Sequence, residues 1–246
     1  MTLIKKIAGR IFATWALLIF VPTMLIACPL IAATGWWKEP TRTANFQKIA
    51  RAWMRLFFFL SGVRIRITGR EHFQKGETYV VTSNHNSFMD VPLTTPFIPG
   101  ANKTIAKKEM AKIPVFGLIY KRGSVLVDRK SEESRKHSFN RMKEVLSLGM
   151  HMCIYPEGTR NRTGKPLQPF HNGAFRLAID TGRAIMPTVI FNTAKVLPAG
   201  QGFFFWPVKV RMHFLPPVKP QGLSLEQLKT KVFAAMEEYY IAHRDQ

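Results

Sequence analysis

Thr78-Tyr79-Val80-Val81-Thr82-Ser83, running on into Asn84-His85-Asn86-Ser87-Phe88-Met89-Asp90, is the stretch from which the fold is read. Its first half is β-branched and aromatic, the composition of a short buried strand, and the polar run after it is a turn at the strand's end. Ser87 with Asp90 three residues on has the form of a capping box, so a helix is expected from Ser87 to Thr95. His85 and Asp90 lie five positions apart. On one helix their side chains would diverge by about 140°, so they meet only if His85 stays in the turn and Asp90 sits in the helix's first turn. A carboxylate on one imidazole nitrogen fixes the tautomer and raises the basicity of the other, which makes a general base. Taken alone, the segment equally fits a helix cap beside a polar turn.

Working outward, strands and helices alternate. Strands are expected at 63–68, 78–83, 103–106, 124–127, 152–155, 184–191 and 208–214, with helices at 87–95, 108–119, 131–148 and 173–181. A last helix, capped by Ser224 with Gln227, runs toward His243. This order predicts an α/β fold with a mixed, largely parallel sheet flanked by helices. The loop 198–207 carries Phe203-Phe204-Phe205-Trp206, which would touch lipid or pack inward.

The amino-terminal part is different. No charge interrupts Ile11 to Trp37, long and apolar enough for a membrane span, but Pro22 and Pro29 each remove a helix donor and equally suit a bent, re-entrant insertion. A cleaved signal peptide ranks third. Residues 44–60 read as an amphipathic helix with Lys48, Arg51 and Arg55 on its polar side, lying at a membrane surface or packed on the domain. Residues 1–62 are therefore expected to form helical membrane anchors and 63–246 the catalytic domain.

The chain has 246 residues with 36 Lys+Arg against 15 Asp+Glu, a net charge of +21. Such an excess calls for an anionic partner: a membrane surface, a phosphorylated substrate or nucleic acid. A nucleic-acid binder would leave the His85–Asp90 pair and the uncharged segment without a purpose. Cys28 and Cys153 offer neither a disulfide framework nor a zinc spacing, and the histidines outside the turn show no metal-ligand pattern.

A second constellation follows the strand at 152–155: Pro156-Glu157-Gly158-Thr159-Arg160. Arg160 supplies a planar fork for phosphate, Gly158 permits close backbone approach, and Glu157 would orient Arg160 or accept from a substrate hydroxyl. Between the two lies Gly123-Ser124-Val125-Leu126-Val127-Asp128-Arg129. In this order the motifs resemble those of the glycerolipid acyltransferases of the 1-acylglycerol-3-phosphate acyltransferase type: NHxSxxD, GxxFxxR, EGTR and a proline-containing hydrophobic strand. Asn84, His85, Ser87 and Asp90 match the first block, Gly123 and Arg129 the second, Glu157, Gly158, Thr159 and Arg160 the third, and 185–189 the fourth. Lys107 takes the place of a lysine near the substrate phosphate. Leu126 departs from the usual phenylalanine, and 170–173 lacks the lysine often found before its glycine.

The resemblance implies acyl transfer from acyl-CoA or acyl-carrier protein to the sn-2 hydroxyl of 1-acyl-sn-glycerol-3-phosphate, forming phosphatidic acid, with no cofactor and no metal. His85 would be the base oriented by Asp90. Lys107, Arg129, Glu157, Gly158, Thr159 and Arg160 would bind substrate, and Asn84 and Ser87 would support the turn. Membrane lipids would be the partners, and a cytoplasmic membrane with the active site on the cytosolic face is expected because acyl donors are cytosolic. Glycerol-3-phosphate or a lyso-ornithine lipid as acceptor, and a non-catalytic anionic-lipid binder, are the alternatives.

Overall fold

A computed structural model describes residues 2–128 and 130–245. Two long helices come first, α1 (Leu3–Ala33) and α2 (Thr41–Leu60). The alternating part then runs β1 (Ile65–Thr68), β2 (Val80–Ser83), α3 (Asp90–Thr94), β3 (Asn102–Lys107), α4 (Phe116–Gly123), β4 (Ser124–Val127), α5 (Glu132–Ser147), β5 (His151–Ile154), α6 (Gly173–Thr181), β6 (Ile185–Phe191), α7 (Thr193–Val196), β7 (Val210–Phe214) and α8 (Leu225–His243). The strands form one sheet in the order β1-β7-β6-β2-β5-β3-β4. Every neighbouring pair is parallel except β6 with β7, which is the mixed, largely parallel sheet expected.

Both faces of the sheet are covered, as a mostly parallel sheet requires. One face, carrying Val81, Cys153, Met186 and Met212, packs against α1 and α2. The other, carrying Val80, Met152, Ile185 and Val189, packs against α5, α6 and α8. β2, β5 and β6 are buried at every position, the pattern of central strands covered on both sides.

α1 passes through Pro22 and Pro29 as one helix, about 46 Å long at 1.5 Å per residue. Its inner side, Gly9, Ala13, Ala16, Ile19, Met24, Ala27 and Ile31, is buried along nearly the whole length. The opposite side leaves Ile4, Ile7, Ile11, Trp15, Leu18, Leu25 and Leu30 exposed. The amphipathic helix read at 44–60 starts at Thr41 and buries Phe46, Ala50, Trp53, Met54, Phe57 and Phe58 in the core. Arg51, counted on its membrane side, instead donates to the Pro96 and Ile98 carbonyls (2.6 and 3.0 Å).

Two local expectations need correction. The helix read from Ser87 begins only at Asp90 and gives way at Thr95 to a 3-10 turn, where Pro96 has no N–H to continue the α-helical ladder. The helix read at 108–119 is two pieces, a 3-10 turn at Lys108–Lys112 and α4, parted by Pro114 and by Val115 at φ 65°. The aromatic loop divides: Phe204 and Phe205 are buried, Phe203 is exposed, and the Phe205 N–H donates to the Gly9 carbonyl of α1 (3.0 Å). Gly9 is needed there, since a Cβ would stand 2.0 Å from the Phe204 ring.

Candidate active site

β2 and β5 are separated by some seventy residues in sequence yet pair in parallel, so the turns that follow them emerge side by side at one end of the sheet. Backbone bonds fasten the two turns at His85 itself. Its N–H donates to Glu157 Oε1 (2.8 Å) and its carbonyl accepts from the Asn161 N–H (2.6 Å). Asn84, fully buried, doubles as an extra rung on β6: its amide donates to the Ile190 carbonyl (3.0 Å) and its oxygen accepts from the Ile190 N–H (2.7 Å). The Ser87 hydroxyl donates to the Leu197 carbonyl (3.0 Å) and accepts from the Met89 N–H (3.2 Å).

Asp90 is completely buried, and its Oδ2 gathers three donors: the N–H groups of Asn86 (2.6 Å) and Ser87 (2.8 Å) and His85 Nδ1 (2.7 Å). Half of the expected capping box is thus present, the half in which the carboxylate reaches back. As an ionised carboxylate can only accept, the proton lies on His85 Nδ1 and the lone pair on Nε2. The imidazole remains 19% exposed, which leaves it accessible to substrate. Its other neighbour is Tyr155, stacked with ring centroids 4.4 Å apart. Thr94 donates its own hydroxyl proton to the Asp90 carbonyl (2.9 Å), so at the 2.5 Å Thr94–Tyr155 contact the tyrosine is the donor. Burial, then the charges of Cys153 and Asp90, hold the Tyr155 hydroxyl well above its ordinary pKa.

The residues of the second motif separate into two groups. Glu157 is 2% exposed, and its second oxygen accepts from the Gln168 N–H (3.1 Å). Both oxygens therefore hold backbone, and the expected orientation of Arg160 by Glu157 is replaced by a bridge between the 85–90 turn and the 157–168 loop. Burial, aided by the Asp90 charge and opposed by these hydrogen bonds, raises Glu157 to about 7. Arg160 instead lies over the Phe88 ring, 3.5 Å from its centroid, joining the two motifs on their outer side. Gly158 adopts φ 69°, and a Cβ there would meet the His171 ring at 2.8 Å. Thr159 is exposed, and Lys107 is exposed at the carboxyl end of β3, next but one to β2 in the sheet. Arg129 lies outside the described residues.

Tyr155, Phe88 and His171 were not picked out as site residues from sequence. Nothing in their types or spacing marks them; what marks them is the adjacency of β2 and β5. His151 is no competing base, because its Nδ1 accepts from the Tyr79 N–H (3.0 Å) and burial lowers it to about 4. Cys153 is fully buried with its thiol pushed up to about 12, which makes it inert as a nucleophile. Among the described residues no group of three or more His, Cys, Asp or Glu side chains is placed to hold a metal ion.

Residues 64–191 match the family model described as Acyltransferase. The chain is 30% identical over 202 residues to mouse 1-acyl-sn-glycerol-3-phosphate acyltransferase alpha, covering 81% of this chain and 68% of that protein. It is 31% identical over 150 residues to the 1-acyl-sn-glycerol-3-phosphate acyltransferase of Borreliella burgdorferi, covering 58% and 57%. The crystal structure of the 1-acyl-sn-glycerophosphate acyltransferase PlsC from Thermotoga maritima superposes with a TM-score of 0.82 at 22% identity, covering 98% of each chain, and shares the fold. With a histidine–aspartate pair at one strand end, a Glu-Gly-Thr-Arg turn at the next and these relatives, the chain belongs to the acyltransferase family of the 1-acyl-sn-glycerol-3-phosphate acyltransferases.

Proposed function

We propose that the protein transfers a fatty acyl group from acyl-CoA or acyl-carrier protein to the sn-2 hydroxyl of 1-acyl-sn-glycerol-3-phosphate. The observation that carries this is the 2.7 Å bond from His85 Nδ1 to the buried Asp90 carboxylate, which leaves Nε2 as a base facing the opening. Nε2 takes the hydroxyl proton as the oxygen attacks the thioester carbonyl. The tetrahedral adduct collapses, the C–S bond breaks, and the departing thiolate takes its proton from the His85 imidazolium. No acyl-enzyme is required. Arg160, Lys107 and Arg129 clamp the acceptor phosphate, with Gly158 and Thr159 shaping the turn, so that the hydroxyl is held at Nε2. An apolar cavity of about 310 Å³ starts at Met89 and Pro92, beside Asp90, and runs between α1, α2 and Phe203–Phe205; it suits an acyl chain.

Residues 1–62 act as the anchor and 63–246 as the catalytic unit. α1 is long and apolar enough to cross a membrane, but its inner side is packed against protein from Gly9 to Ile31. A helix covered over that length by a charged domain cannot stand upright in a bilayer without drawing the domain in. The exposed stripe of α1, together with the exposed Phe59, Phe88 and Phe203, supports an arrangement in which the protein lies half-sunk in one leaflet and the site opens toward lipid. The excess positive charge favours an anionic, cytosol-facing surface.

The test is thioester consumption with lysophosphatidate in vesicles, with the product lipid identified by mass spectrometry. Wild type should form phosphatidate. Folded His85→Ala should lose roughly 10²- to 10⁴-fold in kcat, and Arg160→Ala should chiefly raise the acceptor KM. Retained turnover in His85→Ala removes the base assignment, and faster acylation of glycerol-3-phosphate or a lyso-ornithine lipid changes the acceptor.

A further inference from the structure

At the opposite end of the sheet from His85, where β3, β4 and β5 begin, the surface holds a recess of about 170 Å³. Its walls carry five cations, Arg42, Lys103, Lys121, Arg122 and Arg141, and two carboxylates, Glu39 and Glu144. Both carboxylates are engaged. Glu39 binds Lys103 (2.9 Å) and accepts from the Thr43 N–H and hydroxyl, and Glu144 binds Arg141 (2.7 Å). Among the described residues, Lys121, Arg122 and the terminal nitrogens of Arg42 have no ion-pair partner, and the Nε of Arg122 is buried without a hydrogen-bond partner. Three cations held together without counter-charge cost free energy by mutual repulsion, which an anion in the recess would relieve.

The place of the recess indicates which anion. Arg42 Nε donates to the Trp37 carbonyl (2.8 Å), and Arg122 lies so close to Gly35 that a Cβ there would stand 2.4 Å from its Nη2. The recess is therefore built onto the turn that ends α1, and that turn presents Trp36 (87% exposed) and Trp37 (44%) outward. Exposed tryptophans at the end of an apolar stripe sit at headgroup depth. The volume is ample for a phosphate with its oxygens.

We propose that this recess is a second lipid site, which seats the phosphomonoester headgroup of an anionic lipid away from the catalytic turn. Three free cations match a dianionic monoester better than a singly charged diester. The inference rests on the half-sunk membrane arrangement described above.

The test compares retention on phosphatidylcholine vesicles, neutral or carrying phosphatidic acid or phosphatidylglycerol at matched surface charge. Every protein carries Arg160→Ala, Lys107→Ala and Arg129→Ala, so that the catalytic clamp does not contribute. The recess should hold the protein on phosphatidic acid about tenfold more firmly than on phosphatidylglycerol, the effect of one charge-assisted hydrogen bond. Adding Arg122→Gln should abolish that excess. So should Gly35→Ala, which displaces the Arg122 guanidinium without changing net charge, and both should leave phosphatidylglycerol binding in place. Circular dichroism checks that each variant is folded. Equal retention on the two anionic lipids, or an excess surviving both substitutions, overturns the proposal. Saturation by low-millimolar inorganic phosphate without any phosphatidic acid excess assigns the recess to a soluble phosphate and overturns it likewise. Failure to bind vesicles of any composition overturns the membrane arrangement itself, an outcome distinguishable from the others.

Discussion

Replacing Glu157 by Gln separates stability from catalysis at one buried atom pair. In the wild type each oxygen accepts one backbone N–H, from His85 and from Gln168. Gln keeps one acceptor and turns its amide donor toward the other N–H, so one of the two bonds is lost. The fold also raises Glu157 from its ordinary 4.5 to about 7, so the folded state favours the neutral acid. The stability this confers is fully present below pH 4.5 and is lost as pH rises through 7. Gln does not titrate. The stability of Glu157→Gln relative to wild type should therefore rise by about 3 kcal/mol between pH 4.5 and pH 8, at 1.36 kcal/mol per pH unit. Turnover should move the other way, because release of the His85 backbone misplaces Nε2, and a misplacement of about 1 Å costs on the order of 10²-fold. Urea denaturation in detergent at four pH values gives the first quantity and thioester consumption the second. A stability difference that stays flat with pH, or turnover within about twofold of wild type, would refute the bridge.

Other outcomes follow from the same geometry. Asp90→Asn retains the shape but removes the charge that fixes the His85 tautomer, and kcat should fall by roughly 10²- to 10⁴-fold with the fold intact by circular dichroism. The Tyr155 ring stacks on the His85 imidazole and fixes its plane, so Tyr155→Leu should lower kcat by on the order of 10²-fold through misplacement of Nε2, while Tyr155→Phe, which keeps the ring, should stay within about twofold of wild type, both read by thioester consumption. Asn84→Ala leaves the Ile190 N–H and carbonyl unpaired in the core and should cost about 2–4 kcal/mol, read as a fall in the urea midpoint.

The strands were legible because each carries its burial in its composition, and every strand expected from sequence is present within two residues of its expected ends. Ser224 with Gln227 forms a complete capping box, since both partners lie within one turn of chain. What failed was governed by distant residues. Ser87 and Asp90 have the spacing of a capping box, but the carboxylate is drawn inward by His85, and the hydroxyl is taken by Leu197, 110 positions away. From sequence Glu157 is expected to orient Arg160 or to accept from a substrate hydroxyl; its partners in the fold are backbone amides 72 and 11 positions away, which carry no mark in sequence. Phe205 gave no sign that its amide would reach α1.

That last contact bears on how the anchor and the catalytic turn are related. From the Gly9 carbonyl of α1 a bond leads to the Phe205 N–H, the next residue's N–H bonds the Val196 carbonyl, and the carbonyl of Leu197 accepts from Ser87. Three hydrogen bonds thus connect the helix assigned to the membrane with the turn that holds His85. The hydrophobic cluster is also shared: Ile31, Trp53 and Phe57 lie in the same core as Val81, Cys153 and Ile190. No break in packing falls at residue 62, where the proposed anchor meets the proposed catalytic unit. In the arrangement proposed above, depth in the leaflet and the position of His85 Nε2 are therefore linked by one shared core and its hydrogen bonds, so that the hydroxyl of a lipid acceptor would reach Nε2 without the lipid leaving its layer.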